Sequence, residues 1–118
     1  MQLTKNFHAN EFICKCGNCS LEDCKMDIDF ILKLQSLRDV YDKPMTPSSG
    51  YRCPDHNQAV GGSKGSFHMK GLAADFPISD RAERVLLIKH ALKLGLTVGL
   101  GKGFLHFDNR LFQTVFDY

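Results

Sequence analysis

Long apolar runs are missing from this sequence. No segment approaches the roughly 20 consecutive apolar residues that a membrane-spanning helix needs. The first residues, MQLTKNFHANEF, also lack the apolar core of a secretory signal peptide. We therefore expect a protein that has no membrane partner and is synthesised in the cytoplasm without a signal peptide.

Clustered positive charge and internal repeats are missing as well. Lysine and arginine are scattered along the chain and the formal net charge is only +2, so there is no basic stripe of the kind that follows a phosphate backbone. This argues against a nucleic-acid partner. Without repeats or low-complexity tracts, the 118 residues are predicted to form one domain, 1–118, with a core of its own. We expect a monomer.

Cysteine occurs an odd number of times, and four of the five residues crowd together near the N-terminus. These four are Cys14, Cys16, Cys19 and Cys24. They could form a closed structural zinc site that ties residues 14–26 to the first helix, remain free buried thiols, or form disulfides, which rarely persist in a reducing compartment. Cys53 is interpreted as a small core residue, because no activating base is apparent beside it.

Apolar periodicity predicts two helices, and short β-prone runs predict a sheet. Apolar residues recur at three- and four-residue spacing after Asp27, the predicted N-cap, as far as about Asp42. A capping-box pattern starting at Asp80 begins a second helix that ends near Leu94. Strands are predicted up to Tyr51 and at 73–76, 97–100, 104–107 and 111–116, with a long loop at 52–66. This order favours an α+β fold with an antiparallel sheet packed against two main helices.

The segment from 68 to 75 has side chains suited to a metal ion. Between His68 and Asp75, the small residues Gly71, Ala73 and Ala74 allow the backbone to approach a metal closely. If 73–76 is a strand, Asp75 faces a cleft when Phe76 faces the core. Imidazole and carboxylate are standard zinc ligands, and a catalytic zinc takes three protein ligands plus a water. A third ligand must therefore come from elsewhere.

A later predicted strand contains a second pair. His106 and Asp108 are two residues apart, so they project from the same face. A carboxylate close to a zinc-bound water can act as general base, since zinc lowers the pKa of that water to roughly 7. Asp108 is the candidate for this role. Alternatively, Asp108 orients Arg110 or a histidine ligand, and His106 is simply a hydrogen-bonded core histidine.

Taken together, these segments resemble the M15 metallopeptidases over most of the chain, from about Asn6 to Arg110. The family includes zinc D-Ala-D-Ala carboxypeptidases, dipeptidases and phage-type L-alanyl-D-glutamate peptidases. The resemblance implies a fold like that of hedgehog domains and D,D-peptidases. Its motifs, in order, are Ser49-Gly50-Tyr51-Arg52-Cys53-Pro54, His56-Asn57, Gly61-Gly62, Ser66-x-His68-x-x-Gly71-x-Ala73-x-Asp75 and Phe104-x-His106-x-Asp108.

The resemblance also implies a set of ligands and a substrate anchor. One catalytic zinc ion would be bound by His68, Asp75 and His106. Arg52 would anchor the substrate carboxylate or polarise its carbonyl, a role that suits the two parallel bonds of a guanidinium. The alternative for Arg52 is a structural ion pair.

Two further residues of the motif are expected to contact substrate, and one position departs from the family. Ser66 would contact the substrate or support a metal ligand, and His56 would contact the substrate in the cleft or hold its loop together by hydrogen bonding. Many relatives carry an acidic base three residues before the last histidine, where this chain has Gly103. This departure makes Asp108 the candidate base.

These inferences predict a zinc peptidase that acts on peptidoglycan stem peptides, as a D,D-carboxypeptidase or as an endopeptidase of the endolysin type. The alternative is a non-catalytic, zinc-containing cell-wall-binding module of the same fold, which Gly103 keeps open. A purely structural protein with no catalytic metal is the third interpretation. Without an export signal, the protein would act on the wall if it were released through a phage-made pore or carried in a virion.

Overall fold

The computed structural model describes residues 1–118 and has an α+β fold, as predicted. Its helices are α1 (Ile28–Tyr41), α2 (Pro54–Ala59) and α3 (Arg81–Lys93), and its strands are β1 (Ala73–Pro77), β2 (Thr97–Leu100), β3 (Phe104–Asp108) and β4 (Val115–Asp117). Short 3-10 helices occur at Ala9–Phe12, Leu21–Asp23 and Phe67–Lys70. None of the helices combines the length and the apolar character that crossing a bilayer requires.

Both long helices begin where an aspartate caps them. The Asp27 carboxylate accepts a hydrogen bond from the Phe30 N–H at 2.9 Å, and that of Asp80 accepts one from the Glu83 N–H at 3.0 Å. Each bond satisfies an N–H that has no partner within the helix. Helix α1 ends at Asp42, whose φ of 56° is left-handed. The two predicted helices are confirmed.

Helix α2 occupies part of the segment predicted as a loop. Pro54 lies in its first turn, where the absent proline N–H removes no helical hydrogen bond and the fixed φ favours the helix. The Cys53 sulfur caps this turn by accepting a hydrogen bond from the His56 N–H at 3.4 Å. A helix this short has too few residues for apolar periodicity to reveal it.

The sheet is mixed rather than wholly antiparallel. Its strand order is β1-β3-β2-β4, with antiparallel pairs on both sides of β3 and a parallel pair between β2 and β4. Because β1 and β2 occupy both edges of β3, the chain after β3 crosses to the free edge of β2 and runs parallel to it. The Gln113 side chain fixes this crossing by donating hydrogen bonds to the carbonyls of Leu92 and Leu96, each at 2.9 Å.

Two predicted strands are shorter than expected. The segment that leads to Tyr51 makes only an isolated bridge between Ser49 and Asp75, since Pro44 and Pro47 cannot donate to a ladder. The run predicted at 111–116 is a strand only from Val115 to Asp117, because the residues before it are used in crossing β2.

Alternation along the strands separates the core from a polar face. Asp75 and His106 lie on the face of the sheet opposite the core, together with Asp108. This polar face carries the candidate site, and packing on the other face fixes its backbone. The core-facing side chains of β1 and β3 are Ala74, Phe76, Leu105 and Phe107.

Candidate metal centre

Asp75 and His106 face each other across two neighbouring strands. They are direct partners in the register of β1 and β3, a position that brings the Cβ atoms of an antiparallel pair to within about 5.5 Å. The Nδ1 atom of His106 lies 2.8 Å from Oδ1 of Asp75. On the other side of His106 stands Gly99, where an added Cβ would come within 2.9 Å of the His106 Cβ. Glycine therefore leaves room for the imidazole.

His68 reaches the same point from the 3-10 helix Phe67–Lys70. Its Nδ1–H donates a hydrogen bond to the Gly50 carbonyl at 2.7 Å. Because a carbonyl only accepts, Nε2 is the nitrogen with the free lone pair. This Nε2 lies 3.3 Å from Oδ1 of Asp75 and is buried without a hydrogen-bond partner. A buried polar atom without a partner is costly, and it marks a position where a ligand would be stabilising.

Gly71 makes the turn between these two residues possible. Its φ is +70°, and an added Cβ would lie 2.2 Å from the Lys25 carbonyl oxygen. The Asp27 N–H donates to the Gly71 carbonyl at 2.9 Å. The turn that carries His68 is thus packed directly against the start of α1, and only glycine fits there.

The three predicted ligands converge. The donor atoms of His68, Asp75 and His106 all lie within 4.8 Å of one another. All three residues are buried, with 1%, 5% and 4% of their surface exposed. Two imidazoles and one carboxylate form a donor set typical of catalytic zinc sites. The unpaired Nε2 of His68 is a separate observation that this group fits a divalent cation.

The electrostatics of the site favour a cation. Burial raises the pKa of Asp75, but the adjacent His106 and His68 outweigh it and lower this pKa to about 2. Burial lowers the pKa of His106, but Asp108 and Asp75 outweigh it and raise this pKa. Both ring nitrogens of His106 lie within hydrogen-bond distance of a carboxylate oxygen, so protons on the ring are stabilised. A cation at Nδ1 would replace one of these protons.

Asp108 holds His106 from the side away from Asp75. Its Oδ2 accepts a hydrogen bond from His106 Nε2 at 2.7 Å, and Arg110 donates from Nε to Oδ1 at 2.8 Å and from a terminal nitrogen to Oδ2 at 2.7 Å. Burial raises the pKa of Asp108, but Arg110 and His106 outweigh it and lower this pKa. Both oxygens are engaged, so the geometry favours the interpretation in which Asp108 orients the ligand histidine. Its predicted role as general base stays a prediction.

Arg52 is buried behind Asp75 and lines the cleft. Its guanidinium donates to Asp75 Oδ2 at 3.4 Å and to the Tyr118 hydroxyl at 3.0 Å. It also donates to Ser49 at 3.1 Å and to Asn57 at 3.3 Å. Most of its five donors are therefore used within the protein. The ion pair that was the alternative for Arg52 is observed, and it fixes the second oxygen of Asp75.

An open cleft of about 350 Å³ is lined by His68 and His106, two of the three predicted ligands. Of the predicted substrate contacts, Arg52 and Ser66 line it, whereas His56 lies on α2 and does not. The Ser66 hydroxyl accepts a hydrogen bond from the His68 N–H at 3.2 Å, so it also holds the turn that carries a ligand. The remaining cleft residues include three glycines and Ser63 from the segment 61–65.

The C-terminal residues of the chain form one wall of the cleft, which the sequence motifs do not indicate. The Arg110 guanidinium lies 4.7 Å from the centre of the Phe67 ring. Phe116 and Tyr118 pack against His106, with ring centres 5.4 Å and 5.1 Å from it. Asp117 between them is the second carboxylate in the lining, beside Asp108. The two-residue spacing of the aromatic pair is the available sequence signal, since it puts both rings on one strand face.

The cysteines gather in a different set from the predicted one. Cys14, Cys16 and Cys19 are joined by Cys53, with their sulfur atoms within 4.8 Å of one another. Cys24 is outside this group. Its sulfur accepts a hydrogen bond from the Cys14 N–H at 3.3 Å, and it lies in an apolar pocket beside Met1 and Leu3 among others. Cys53 takes the place of Cys24 in the cluster because the chain at Arg52 and Cys53, just before α2, lies beside the N-terminal segment.

The sequence comparison agrees with this site. The model of the peptidase M15 family matches residues 5–108, which include the three converging ligands, Arg52 and Asp108. No curated protein matches the chain. Because the match covers most of the sequence and the motif residues meet at one cleft, the chain belongs to the peptidase M15 family.

Proposed function

We propose that this protein is a zinc-dependent peptidase that hydrolyses amide bonds in the stem peptides of peptidoglycan, acting as a monomer. The bond cleaved would be that of a D,D-carboxypeptidase or of an endolysin-type endopeptidase. The single observation that supports it most is the buried, unpaired His68 Nε2, which points at Asp75 and His106 beneath an open cleft. Membership of a peptidase family supplies the reaction class.

His68, Asp75 and His106 would hold the zinc ion through Nε2, a carboxylate oxygen and Nδ1. Zinc in such a site polarises the substrate carbonyl and lowers the pKa of a bound water to roughly 7. The surrounding residues keep the ligands in place: Gly50 fixes the tautomer of His68, and Arg52 fixes Asp75. The Gly50 carbonyl raises the basicity of His68, and both partners hold the orientation of the ligands.

The substrate would be held by the two arginines at the cleft. Arg110 keeps 26% of its side chain exposed and lies over two aromatic rings, Phe67 and Phe116, so its guanidinium is the more accessible of the two for a peptide carboxylate. Arg52, in the lining of the cleft, would offer the one guanidinium N–H that is not bonded within the protein. The glycines of the segment 61–65 leave space along one side, which suits an extended peptide.

A carboxylate is also needed to accept the proton of the attacking water and pass it to the leaving amine. Asp108 and Asp117 are the two carboxylates in the lining of the cleft. Asp108 is held by Arg110 and His106, whereas Asp117 is exposed on β4. Gly103, at the position of the acid in many relatives, has a φ of +80° in the turn before β3. The base of this enzyme would be one of the two aspartates.

The test is hydrolysis of purified peptidoglycan and of synthetic stem peptides by the zinc-loaded chain, measured as released free amino groups. We expect release by the wild type, none by His68→Ala, and a product whose mass identifies the bond. Comparing Asp108→Asn with Asp117→Asn identifies the base, since the loss of the base removes about two to four orders of magnitude in rate. No release from any stem peptide by the wild type would overturn the proposal.

The second candidate function is a wall-binding module that retains zinc for its fold. Two features favour it: Gly103 stands where many relatives carry an acidic base, and Asp108 is already engaged in an ion pair with Arg110. Sedimentation with insoluble peptidoglycan, in which the protein binds but releases no amino groups, would establish it. Detection of the protein in a phage lysate or in purified virions would test the proposed route to the wall.

A further inference from the structure

Four thiols from two distant parts of the chain meet beside the cleft. Cys14, Cys16 and Cys19 lie in the N-terminal segment, and Cys53 follows Arg52. All four sulfur atoms lie within 4.8 Å of one another, and those of Cys16 and Cys19 are 3.4 Å apart. Sulfurs at the corners of a tetrahedron around zinc are about 3.8 Å apart, given a Zn–S bond of about 2.3 Å. The cluster is already close to this size.

Backbone N–H groups point at three of the four sulfurs. Cys14 accepts from the Cys53 N–H at 3.3 Å, Cys16 from the Asn18 N–H at 3.3 Å and Cys53 from the His56 N–H at 3.4 Å. Such bonds stabilise a thiolate more than a thiol, because the acceptor charge is larger. The turn after Cys16 depends on Gly17, whose φ is +81°, so the Cys-x-x-Cys backbone is curled around its two sulfurs. This spacing is common in structural zinc sites.

We propose that Cys14, Cys16, Cys19 and Cys53 bind a structural zinc ion as four thiolates, and that this ion fastens the N-terminal segment to the loop that carries Arg52. Each thiol releases its proton to solvent as it binds. Cys24 takes no part, since its sulfur accepts from the Cys14 backbone instead. The site is closed, because four protein sulfurs complete a tetrahedron and leave no position for water.

The position of Cys53 gives this ion a role in the architecture of the cleft. Cys53 is the N-cap of α2 and is adjacent to Arg52, which supports Asp75. The Phe12 carbonyl also accepts a hydrogen bond from the Tyr51 N–H at 2.9 Å. Added to this hydrogen bond, the zinc–sulfur bond at Cys53 would limit the motion of the loop from 49 to 53 relative to the N-terminal segment.

Cobalt substitution of the full chain tests the proposal without a mutation. Tetrahedral cobalt bound to thiolates gives an intense sulfur-to-metal charge-transfer band, and the histidine and aspartate site cannot produce it. We expect this band, two zinc ions per chain in the native protein, and five free thiols after denaturation and metal removal. Cys24→Ser should keep the second zinc and the band, whereas Cys53→Ser should lose at least tenfold in affinity at this site.

Three results would overturn the proposal: no charge-transfer band, a disulfide among the four cysteines of the native protein, or equal losses in Cys24→Ser and Cys53→Ser. The wild-type spectrum and thiol count decide the question even if Cys53→Ser does not fold. None of these measurements depends on hydrolysis. Failure of the proposed peptidase activity would therefore leave this inference standing, and the reverse also holds.

Discussion

At the scale of single residues, Asp108 determines how His106 is presented to a metal. Replacing its carboxylate with an amide in Asp108→Asn keeps the size of the side chain but weakens the bond to His106 Nε2 and removes the ion pair with Arg110. We expect zinc affinity at this site to fall about 10- to 100-fold, as is usual for partners of ligand histidines. A competitive chelator titration measures it.

The matched control for this change is Asp117→Asn, which alters the other carboxylate in the cleft. Asp117 makes no contact with a ligand histidine, so its replacement should leave zinc affinity unchanged. Equal losses in the two variants would mean that Asp108 acts only through the overall charge of the cleft.

Gly71 has a left-handed backbone conformation and also a tight contact with a neighbouring segment. Gly61 has the same backbone conformation without such a contact. Their φ values are +70° and +73°, but only at Gly71 would a Cβ strike another atom, 2.2 Å from the Lys25 carbonyl oxygen. We expect Gly61→Ala to cost about 1 kcal/mol of unfolding free energy and Gly71→Ala to cost substantially more and to displace His68. Urea denaturation and zinc content of both variants measure this. Similar costs would show that the contact with Lys25 relaxes easily.

Among the residues of the site, the motif predicts those that the reaction class requires. His68, Asp75 and His106 meet as the resemblance to the M15 metallopeptidases implies, and their imidazoles and carboxylate are ligands that zinc takes. The place of Cys53 could not be predicted, since the fourth member of a cluster is decided by where the chain returns in space. Tyr118 lies beyond the motif, and its two-residue spacing from Phe116 indicates only a shared strand face, not a place in the cleft.

At the scale of elements, helix caps decide where α1 and α3 begin. Removing the cap in Asp27→Ala leaves the Phe30 N–H without its partner, and we expect a loss of about 1 kcal/mol in unfolding free energy. Asp29→Ala, in the first turn of the same helix, is the control and should cost less, because it affects only the helix dipole. Thermal or urea unfolding of the two variants compares them. The reverse order would contradict the assignment of Asp27 as the cap.

The elements also show which parts of a fold local patterns determine. Caps and periodicity are local, so α1 and α3 were predicted to within a residue or two of their observed ends. The direction of β4 is not local. It depends on the neighbouring strands, which occupy both edges of β3. No local pattern in the segment 109–114 predicts this direction.

At the scale of the whole molecule, Glu83 connects α3 to the end of α1 and to Lys43 just after it. Its carboxylate accepts hydrogen bonds from Lys43 and Tyr41, which lower the pKa of Glu83. A depressed pKa stabilises the fold at pH values above the unfolded pKa of roughly 4.3, and this contribution is lost as the pH falls through the folded value. We expect Glu83→Gln to lower the melting temperature slightly at pH 7.

The difference between Glu83→Gln and the wild type should shrink as the pH falls from the unfolded pKa of roughly 4.3 through the lowered folded pKa of Glu83. Glu22→Gln, a change at an exposed glutamate that makes no side-chain hydrogen bond, is the control and should show no such pH dependence. Melting curves from pH 3 to 7 test both. A difference that does not shrink between pH 7 and pH 3 would mean that the charge of Glu83 is not its source.

Metal removal should destabilise the molecule as a whole. A ligand that binds only the folded chain adds about 2.7 kcal/mol when present at 100 times its dissociation constant. We expect a chelator to lower the melting temperature by several degrees and added zinc to restore it, with a smaller response in His68→Ala, which lacks one of the two proposed ions. Differential scanning calorimetry measures the shift. An unchanged melting temperature after verified zinc removal would contradict this.

The pairing of Asp75 with His106 across β1 and β3 has an evolutionary consequence. Each additional residue in a strand turns all later side chains to the other face. A one-residue insertion before His106 in β3 would exchange it with its apolar neighbours Leu105 and Phe107. The crossing at 109–114 is not a strand, so a change in its length need not move any side chain to the other face of the sheet. In descendants of this sequence, length variation should therefore accumulate in the crossing and be absent from the interval between Phe104 and Asp108.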